Sequence, residues 1–260
     1  MNILEQITDT KRQEVSRQKG IVPEQELQTR FSYNRTCNSL KSALLTPGAS
    51  GIIAEFKLKS PSKGVINPSA QVEAVTKAYV TAGVSGLSIL TDHSYFGGNL
   101  ANLEKARLTN PNTPILRKDF IIDDYQIVEA KAHGADVILL IAACLERKQM
   151  EDLAKTAIEL GLEVLLEIHA EEELSFINES VDFVGINNRN LKTFEVDVET
   201  SVKLAKQIPE AYIKISESGL SEVETIQYLR RNGFNGFLIG ETFMKTSDPG
   251  KACKELIDAL

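Results

Sequence analysis

The chain has no tryptophan, and only three cysteines, three histidines and three methionines in 260 residues. Cys37, Cys144 and Cys253 are odd in number and far apart. They form neither a disulfide framework nor a zinc-ligand spacing and read as reduced thiols, as in a cytoplasmic protein. Long apolar runs are missing too: no stretch approaches the ~20 residues of a membrane span. The opening Met1-Asn2-Ile3-Leu4-Glu5-Gln6 is polar and acidic where a signal peptide would be apolar. There is no excess of positive charge, since 29 Lys and Arg face 36 Asp and Glu, for a net charge of −7 and a pI near 5.2. That argues against a nucleic-acid partner, which calls for a basic face. A small anionic ligand stays open, because it needs only a local cluster of lysines and backbone N–H groups. Neither a linker nor a low-complexity tract marks a domain boundary.

A hydrophobic share of 42% and a charged share of 25% are ordinary for a globular chain. The first helix is expected over residues 3–20, with Ile3, Leu4 and Ile7 as an apolar patch, and a second over Ser39–Leu45, stopped by Pro47-Gly48. From Gly51 onward a regular pattern begins, with a short apolar run, a loop, an amphipathic helix and another apolar run. The runs are Gly51–Lys57, Gly86–Thr91, Pro114–Lys118, Ala135–Ile141, Glu163–Ile168, Asp182–Asn187, Tyr212–Ser216 and Gly236–Gly240. Near-continuous apolar runs are what parallel strands covered on both faces require. The helices between them carry stripes such as Val72, Val75, Tyr79 and Ala82. Glycines suited to helix ends (Gly83 or Gly86, Gly134, Gly161, Gly233) precede several strands. Eight such units, repeating every ~25 residues, predict an α/β fold, a single closed (β/α)₈ TIM barrel over 1–260 with 1–48 as an N-terminal helical extension.

The functional signal begins in Ile52–Gly64, an apolar run that turns into the charged loop Lys57-Leu58-Lys59-Ser60-Pro61-Ser62-Lys63-Gly64. Strand alternation places Glu55 and Lys57 on one face. In such a barrel the site is built at the C-terminal strand ends. Those ends bring Glu55 and Lys57, Arg117-Lys118-Asp119-Phe120, Glu167-Ile168-His169, Asn187-Asn188-Arg189 and Glu217-Ser218-Gly219 to one mouth. Desolvating so many charges is costly unless they pair or meet a ligand. Ser218-Gly219 and Gly240-Glu241-Thr242, in the last two βα loops, sit where phosphate commonly binds in this fold, with Lys59 and Ser60 across the mouth. Glu167 and His169 share a strand face, but no third ligand at a known spacing completes a metal site. Glu217 reads as a supporting group, His93 and His133 as surface or loop residues, and Glu171-Glu172-Glu173 as a solvated helix start.

Ala54-Glu55-Phe56-Lys57-Leu58-Lys59-Ser60-Pro61-Ser62-Lys63-Gly64 resembles the signature of the indole-3-glycerol phosphate synthase family. Leu116-Arg117-Lys118-Asp119-Phe120, Leu166-Glu167-Ile168-His169, Gly185-Ile186-Asn187-Asn188-Arg189-Asn190-Leu191, Ser216-Glu217-Ser218-Gly219 and Leu238-Ile239-Gly240-Glu241 resemble its other blocks in the same order. Leu90-Thr91-Asp92-His93-Ser94-Tyr95-Phe96 resembles the family's second strand loop. The likeness spans nearly the whole chain, with Phe56 and Leu58 as mild departures.

The resemblance implies ring closure of 1-(2-carboxyphenylamino)-1-deoxyribulose 5-phosphate with loss of CO₂ and water, in tryptophan biosynthesis. It implies Lys118 as the acid at the ketone, Glu167 as acid or base in later steps, and Lys57 paired with Glu55 near the substrate carboxylate. Either lysine could supply the dehydration proton. Asn187 would hold substrate hydroxyls and orient Glu167, and Arg189 would brace its loop. Phe96 and Phe120 would line the anthranilate pocket. Ser60, Gly219 and Gly240 would hold the phosphate, supported by Ser218, with the Glu241 side chain pointing away. The reaction has no redox step, so no cofactor or metal is expected. The partners expected are the phosphosugar-anthranilate substrate and, as candidates, other tryptophan-pathway enzymes, with no membrane or nucleic acid. A phosphoribosylanthranilate isomerase would want a carboxylate and a thiol or second carboxylate rather than two strand-end lysines. A non-catalytic phosphosugar-binding barrel would need no Lys118 with Glu167.

Overall fold

The computed structural model describes residues 3–189 and 195–260, so Met1, Asn2, Asn190 and Leu191 of the motifs above lie outside the described residues. The barrel strands are β1 (Ile52–Phe56), β2 (Gly86–Leu90), β3 (Ile115–Lys118), β4 (Val137–Ile141), β5 (Glu163–Ile168), β6 (Phe183–Asn187), β7 (Ile213–Glu217) and β8 (Gly236–Ile239). They follow one another around a closed, all-parallel barrel in which β8 pairs back onto β1. Each predicted run holds its strand to within a residue or two at either end. Among the described residues no helix is long and apolar enough to cross a membrane.

Strand alternation splits the core into two layers. Ile52, Ala54, Phe56, Val164, Leu166 and Ile168 face outward, against the helices. Ile53, Leu116, Leu139, Leu165, Phe183, Ile215 and Leu238 face inward and fill the barrel. The same parity sends Glu55, Lys118, Glu167, Asn187 and Glu217 inward at the C-terminal ends.

Helices α1 (Ile3–Ile21), α2 (Glu24–Gln28) and α3 (Leu40–Leu45) precede β1. The short α2 has no apolar period to announce it; Pro23 at φ −61° pre-sets its entry, acidic Glu24 and Glu26 occupy its first turn, and Leu27 anchors it. The outer helices are α4 (Val72–Ala82), α5 (Leu100–Thr109), α6 (Asp124–Ala132), α7 (Arg147–Glu159), α8 (Val198–Ala205), α9 (Val223–Arg231), α10 (Glu241–Met244) and α11 (Pro249–Asp258). Gly83, Gly134, Gly161 and Gly233 end α4, α6, α7 and α9 in the left-handed region. The N–H after each returns to a carbonyl five residues back, as Ala135 does to Ala130 and Leu162 to Ala157. Gly86 serves differently. It lies within β2, where a Cβ would come within 2.7 Å of Leu40 Cδ1. The crossover from β5 to β6 departs from the expected pattern, carrying a six-residue 3₁₀ helix (Glu171–Phe176) in place of an amphipathic α-helix. Fourteen residues separate Ile168 from Phe183, too few for a full helix with its two turns.

The N-terminal helices grip both ends of the barrel. Leu40 and Leu44 of α3 plug the bottom, and Ile7 of α1 joins the inner core at the top. Ser39 caps α3 by accepting from Ser42 N, and its hydroxyl donates to Glu163 at the start of β5 (2.6 Å). Asp136, fully buried, ties the segment down further. It pairs with Arg107 and Arg35 and accepts from the N–H groups of Asn38 and Ile115, each at 2.8 Å. Removing this carboxylate strands two cations and two N–H groups. Asp136→Ala is therefore expected to lose about 3–5 kcal/mol of stability, measurable as a lowered urea midpoint with both variants folded in buffer.

Candidate active site

Two ion pairs stand at the C-terminal mouth. Lys57, one residue past β1, reaches back to Glu55 Oε1 at 2.8 Å. Lys118 ends β3 and is bracketed from across the barrel, donating to Glu167 Oε2 at 2.6 Å and Glu217 Oε2 at 2.9 Å. Glu167 Oε1 accepts from Asn187 Nδ2 at 2.9 Å and lies 3.1 Å from His169 Nε2. Asn187 is itself oriented, since its Oδ1 accepts the Arg189 N–H at 3.0 Å. Room for these carboxylates comes from two inward-facing glycines. A Cβ on Gly185 would press into Glu217 Oε1, and one on Gly240 would sit 2.5 Å from Glu55 Oε1.

Burial works to discharge Lys118, but Glu167, Glu217 and Glu55 outweigh it and hold the ammonium above the ordinary lysine range. Burial likewise disfavours the Glu167 carboxylate, yet Lys118 and His169 more than compensate, so it stays ionised well below the usual range. Glu217 ends up on the other side. Burial pushes it up, Lys118 offsets this only in part, and the Glu167 charge adds to the rise, leaving it at about 7. One ammonium thus serves two carboxylates whose proton affinities are driven apart, as acid–base sites require. His169, buried against burial's own tendency to discharge it, is raised to about 9 by Glu167 and Glu173.

Around this charged floor lies a cavity of about 300 Å³. One wall is aromatic, with the Phe96 and Phe120 rings 6.1 Å apart at 37°. Leu90 and Ile3, Leu4 and Ile7 of α1 continue it. The opposite wall is made of small residues from the loops after β1, β7 and β8. There Ser60 Oγ is buried with no hydrogen-bond partner among the described residues. Ser218 and Gly219 are consecutive left-handed residues (φ 70° and 71°), Ser218 being the one non-glycine among the described residues to adopt a positive φ. Gly240 begins α10, and the Glu241 carboxylate stands 3.8 Å from Lys63.

Glu55, Lys57, Lys118, Glu167 and Asn187 all line this cavity, and so do Ser60, Phe96, Phe120, Arg189, Ser218, Gly219, Gly240 and Glu241. Other expectations from the sequence need correction. Lys59 does not line the cavity; its ammonium donates to Ser94 O at 2.7 Å and ties the first loop, a small Lys59–Ser60/Gly64–Val65 hairpin, to the second. His133 is buried rather than superficial, against Arg30 Nη1 at 2.9 Å, and burial followed by that guanidinium depresses it to about 4. Glu173 is half-buried and accepts the His169 N–H at 2.5 Å, so the acidic run is not simply a solvated helix start. Glu217 touches Lys118 directly and lines the cavity, where inward parity with Ile213 and Ile215 places it. Lys245 and the α1 residues Ile3, Leu4 and Ile7 also line the cavity, and no motif in the sequence points to them.

The family model described as indole-3-glycerol phosphate synthase matches residues 4–256. The chain is 50% identical over 259 residues to the indole-3-glycerol phosphate synthase of Bacteroides thetaiotaomicron, covering 100% of this chain and 99% of that one. It is 44% identical over 258 residues to that of Salinibacter ruber, covering 98% and 95%. Among solved structures, 3-hexulose-6-phosphate synthase from Salmonella typhimurium superposes with a TM-score of 0.65 at 12% identity, over 81% of this chain and 98% of that one. Tryptophan synthase subunit alpha from Legionella pneumophila gives 0.63 at 15%, over 86% and 97%. At such identities these two structures speak for the barrel fold alone.

The shared ammonium makes stability pH-dependent in a testable way. Without Lys118, Glu217 loses its counter-ion and Glu167 keeps only His169, so the folded state binds more protons than the unfolded one and stability falls as pH rises. Lys118→Met is expected to lose stability between pH 5 and pH 8 more steeply than the parent, by up to about 1.4 kcal/mol per pH unit for each extra proton. Urea midpoints across that interval check it.

Proposed function

This chain belongs to the indole-3-glycerol phosphate synthase family, and we propose that Lys118, Glu167, Lys57, Glu55 and Asn187 carry its chemistry. The chain is a lyase of tryptophan biosynthesis. It closes the indole ring of 1-(2-carboxyphenylamino)-1-deoxyribulose 5-phosphate, releasing CO₂ and water and leaving indole-3-glycerol phosphate.

The bracketed ammonium of Lys118 is the observation that supports the assignment most. In the first step the ring carbon bearing the carboxylate attacks the ketone carbon. A C–C bond forms, and the carbonyl oxygen gains negative charge and takes a proton. Lys118, held charged at the end of β3, is the donor. The carbon–carboxylate bond then breaks, its electrons return to the ring, and CO₂ leaves. In the last step the new hydroxyl leaves as water after accepting a proton, and a base takes the proton lost from the new five-membered ring. Glu167, ionised and oriented by Asn187, is the base, and Lys57, paired with Glu55, is the acid for the departing hydroxyl. Glu217, protonated below about 7, returns a proton to Lys118 across 2.9 Å.

Binding divides the cavity. The anthranilate ring lies in the Phe96–Phe120 slot, and its carboxylate faces Lys57. The phosphate sits against Ser60 Oγ and the backbone of Gly219 and Gly240, with Ser218 holding the loop and Glu241 turned toward Lys63. Arg189 braces the loop after β6 through its pairing with Val196. The site works in the cytoplasm, and other enzymes of the tryptophan pathway are its candidate partners.

Because the chain has no tryptophan, the indole product fluoresces over a tyrosine background. Lys118→Ala is expected to keep substrate affinity within about threefold while turnover drops by about 10³ or more; unchanged turnover by fluorescence would remove Lys118 from the acid role. The log kcat/KM profile should bend near pH 7, and Glu217→Gln should erase that bend.

A further inference from the structure

Lys11 breaks the pattern of its helix. It lies on the buried stripe of α1 between Ile7 and Val15, where the spacing calls for an apolar side chain, and it is only 5% exposed. Its ammonium stands 3.0 Å from Asp92 Oδ2 and 3.0 Å from Asp119 Oδ1, with Glu14 Oε2 at 2.8 Å. The two aspartates come from different loops and do the same thing. Asp92, after β2, accepts the N–H groups of Tyr95 and Phe96 on Oδ1, at 2.8 and 3.1 Å. Asp119, next to Lys118, accepts the N–H of Phe120 on Oδ1 at 2.8 Å. Each carboxylate thus fixes the backbone of one ring of the aromatic slot, and one ammonium joins the two carboxylates. The remaining face of Asp119 is filled by Thr91 Oγ1 at 2.5 Å and Arg117 Nη2 at 3.1 Å, so Asp119 has little freedom to drift. Other contacts of α1 on the β2 loop repeat the attachment, with Ser94 Oγ donating to Glu14 at 2.9 Å and Thr10 Oγ1 bonded to the Tyr95 hydroxyl at 3.1 Å.

We infer that Lys11 is a positioning residue that fixes Phe96 and Phe120 relative to each other, and so the shape of the aromatic wall of the slot that takes the substrate's aromatic ring. This inference rests on the proposed placement of the anthranilate ring in that slot. Lys11 lies outside the cavity lining. It acts by cancelling the repulsion between Asp92 and Asp119, which would otherwise push the two ring-bearing loops apart. An ion pair that merely fastened α1 to the barrel would affect stability and leave ring recognition alone.

Steady-state kinetics on the full chain with 1-(2-carboxyphenylamino)-1-deoxyribulose 5-phosphate separate these two roles. Lys11→Met is expected to raise KM about tenfold with kcat within about threefold of the parent. Lys11→Arg, which keeps a cation between the carboxylates, should hold KM within about threefold. In a Phe120→Leu background, where the slot is already spoiled, Lys11→Met should add less than about twofold to KM. A KM effect that persists undiminished in that background, or a fall in kcat with KM unchanged, overturns the inference. If Lys11→Met does not fold, Lys11→Gln carries the same comparison with an expected rise of about threefold, and an unchanged KM there likewise overturns it. A parent chain with no turnover would sink the proposed function itself, whereas an active parent with an unsplit KM and kcat response sinks only the role of Lys11.

Discussion

A buried ammonium has to be paired, and much of the barrel mouth follows from that requirement for Lys118. A lysine at an inward strand end lies in a low-dielectric site where an unpaired charge costs several kcal/mol. Glu167 and Glu217 supply the countercharge from β5 and β7, strands far from β3 in sequence but across the same mouth. Their carboxyl groups in turn need space, which Gly185 provides beneath Glu217, and orientation, which Asn187 provides to Glu167. Two carboxylates on one cation cannot share it equally. That inequality drives Glu167 down and Glu217 up, and it places an ammonium that stays charged beside one carboxylate that stays ionised and one group that titrates near neutrality.

The N-terminal segment completes what eight strands leave open. At the bottom, α3 pushes Leu40 and Leu44 between strand beginnings where Gly86 and Gly236 leave room. At the top, α1 lays Ile3, Leu4 and Ile7 over the cavity and sinks Lys11 into the carboxylates behind the aromatic slot. A second ionic chain runs outward from the same place, from Asp119 to Arg117 and on to Glu129 of α6. Lys118 therefore sits between two neighbours of opposite outlook. Arg117 faces the helices and anchors the strand, and Asp119 turns back to the loops. Buried ion pairs of this kind add little net stability; their value here is geometric, holding charged and aromatic groups at fixed separations.

Much of this is legible from the residues because the strand period is short and strict. With β1, β3, β5, β6 and β7 placed, parity alone assigns Glu55, Lys118, Glu167 and Asn187 to the interior. What escapes is whatever depends on contacts across long sequence separations. Glu217 carries the right parity, but nothing local says that its partner is Lys118, 99 residues earlier. The apolar patch of α1 is visible, yet which surface it covers is decided by the barrel rather than by the helix. Lys59 resembles a phosphate ligand by composition, and the hairpin that turns it toward Ser94 arises from a tight turn closed at Gly64, φ 67°. His133 follows α6 like a surface residue, yet it is buried, and the N-terminal segment brings Arg30 against it. The β5–β6 crossover looks helical because acidic residues head it, while its length permits only a 3₁₀ turn.

Lys118 is kept charged by its carboxylate neighbours despite its burial, and the rest of the site depends on that charge. Nuclear magnetic resonance of the ¹⁵N-labelled lysine side chains, assigned with Lys118→Met and followed across a pH titration, reads it directly. The Lys118 ammonium signal is predicted to hold its position past about pH 11, after exposed lysines with ordinary values have begun to titrate, and to shift earlier when Glu167 is replaced by Gln. A Lys118 amine that loses its proton at or below the ordinary lysine value of 10.5 would contradict the account.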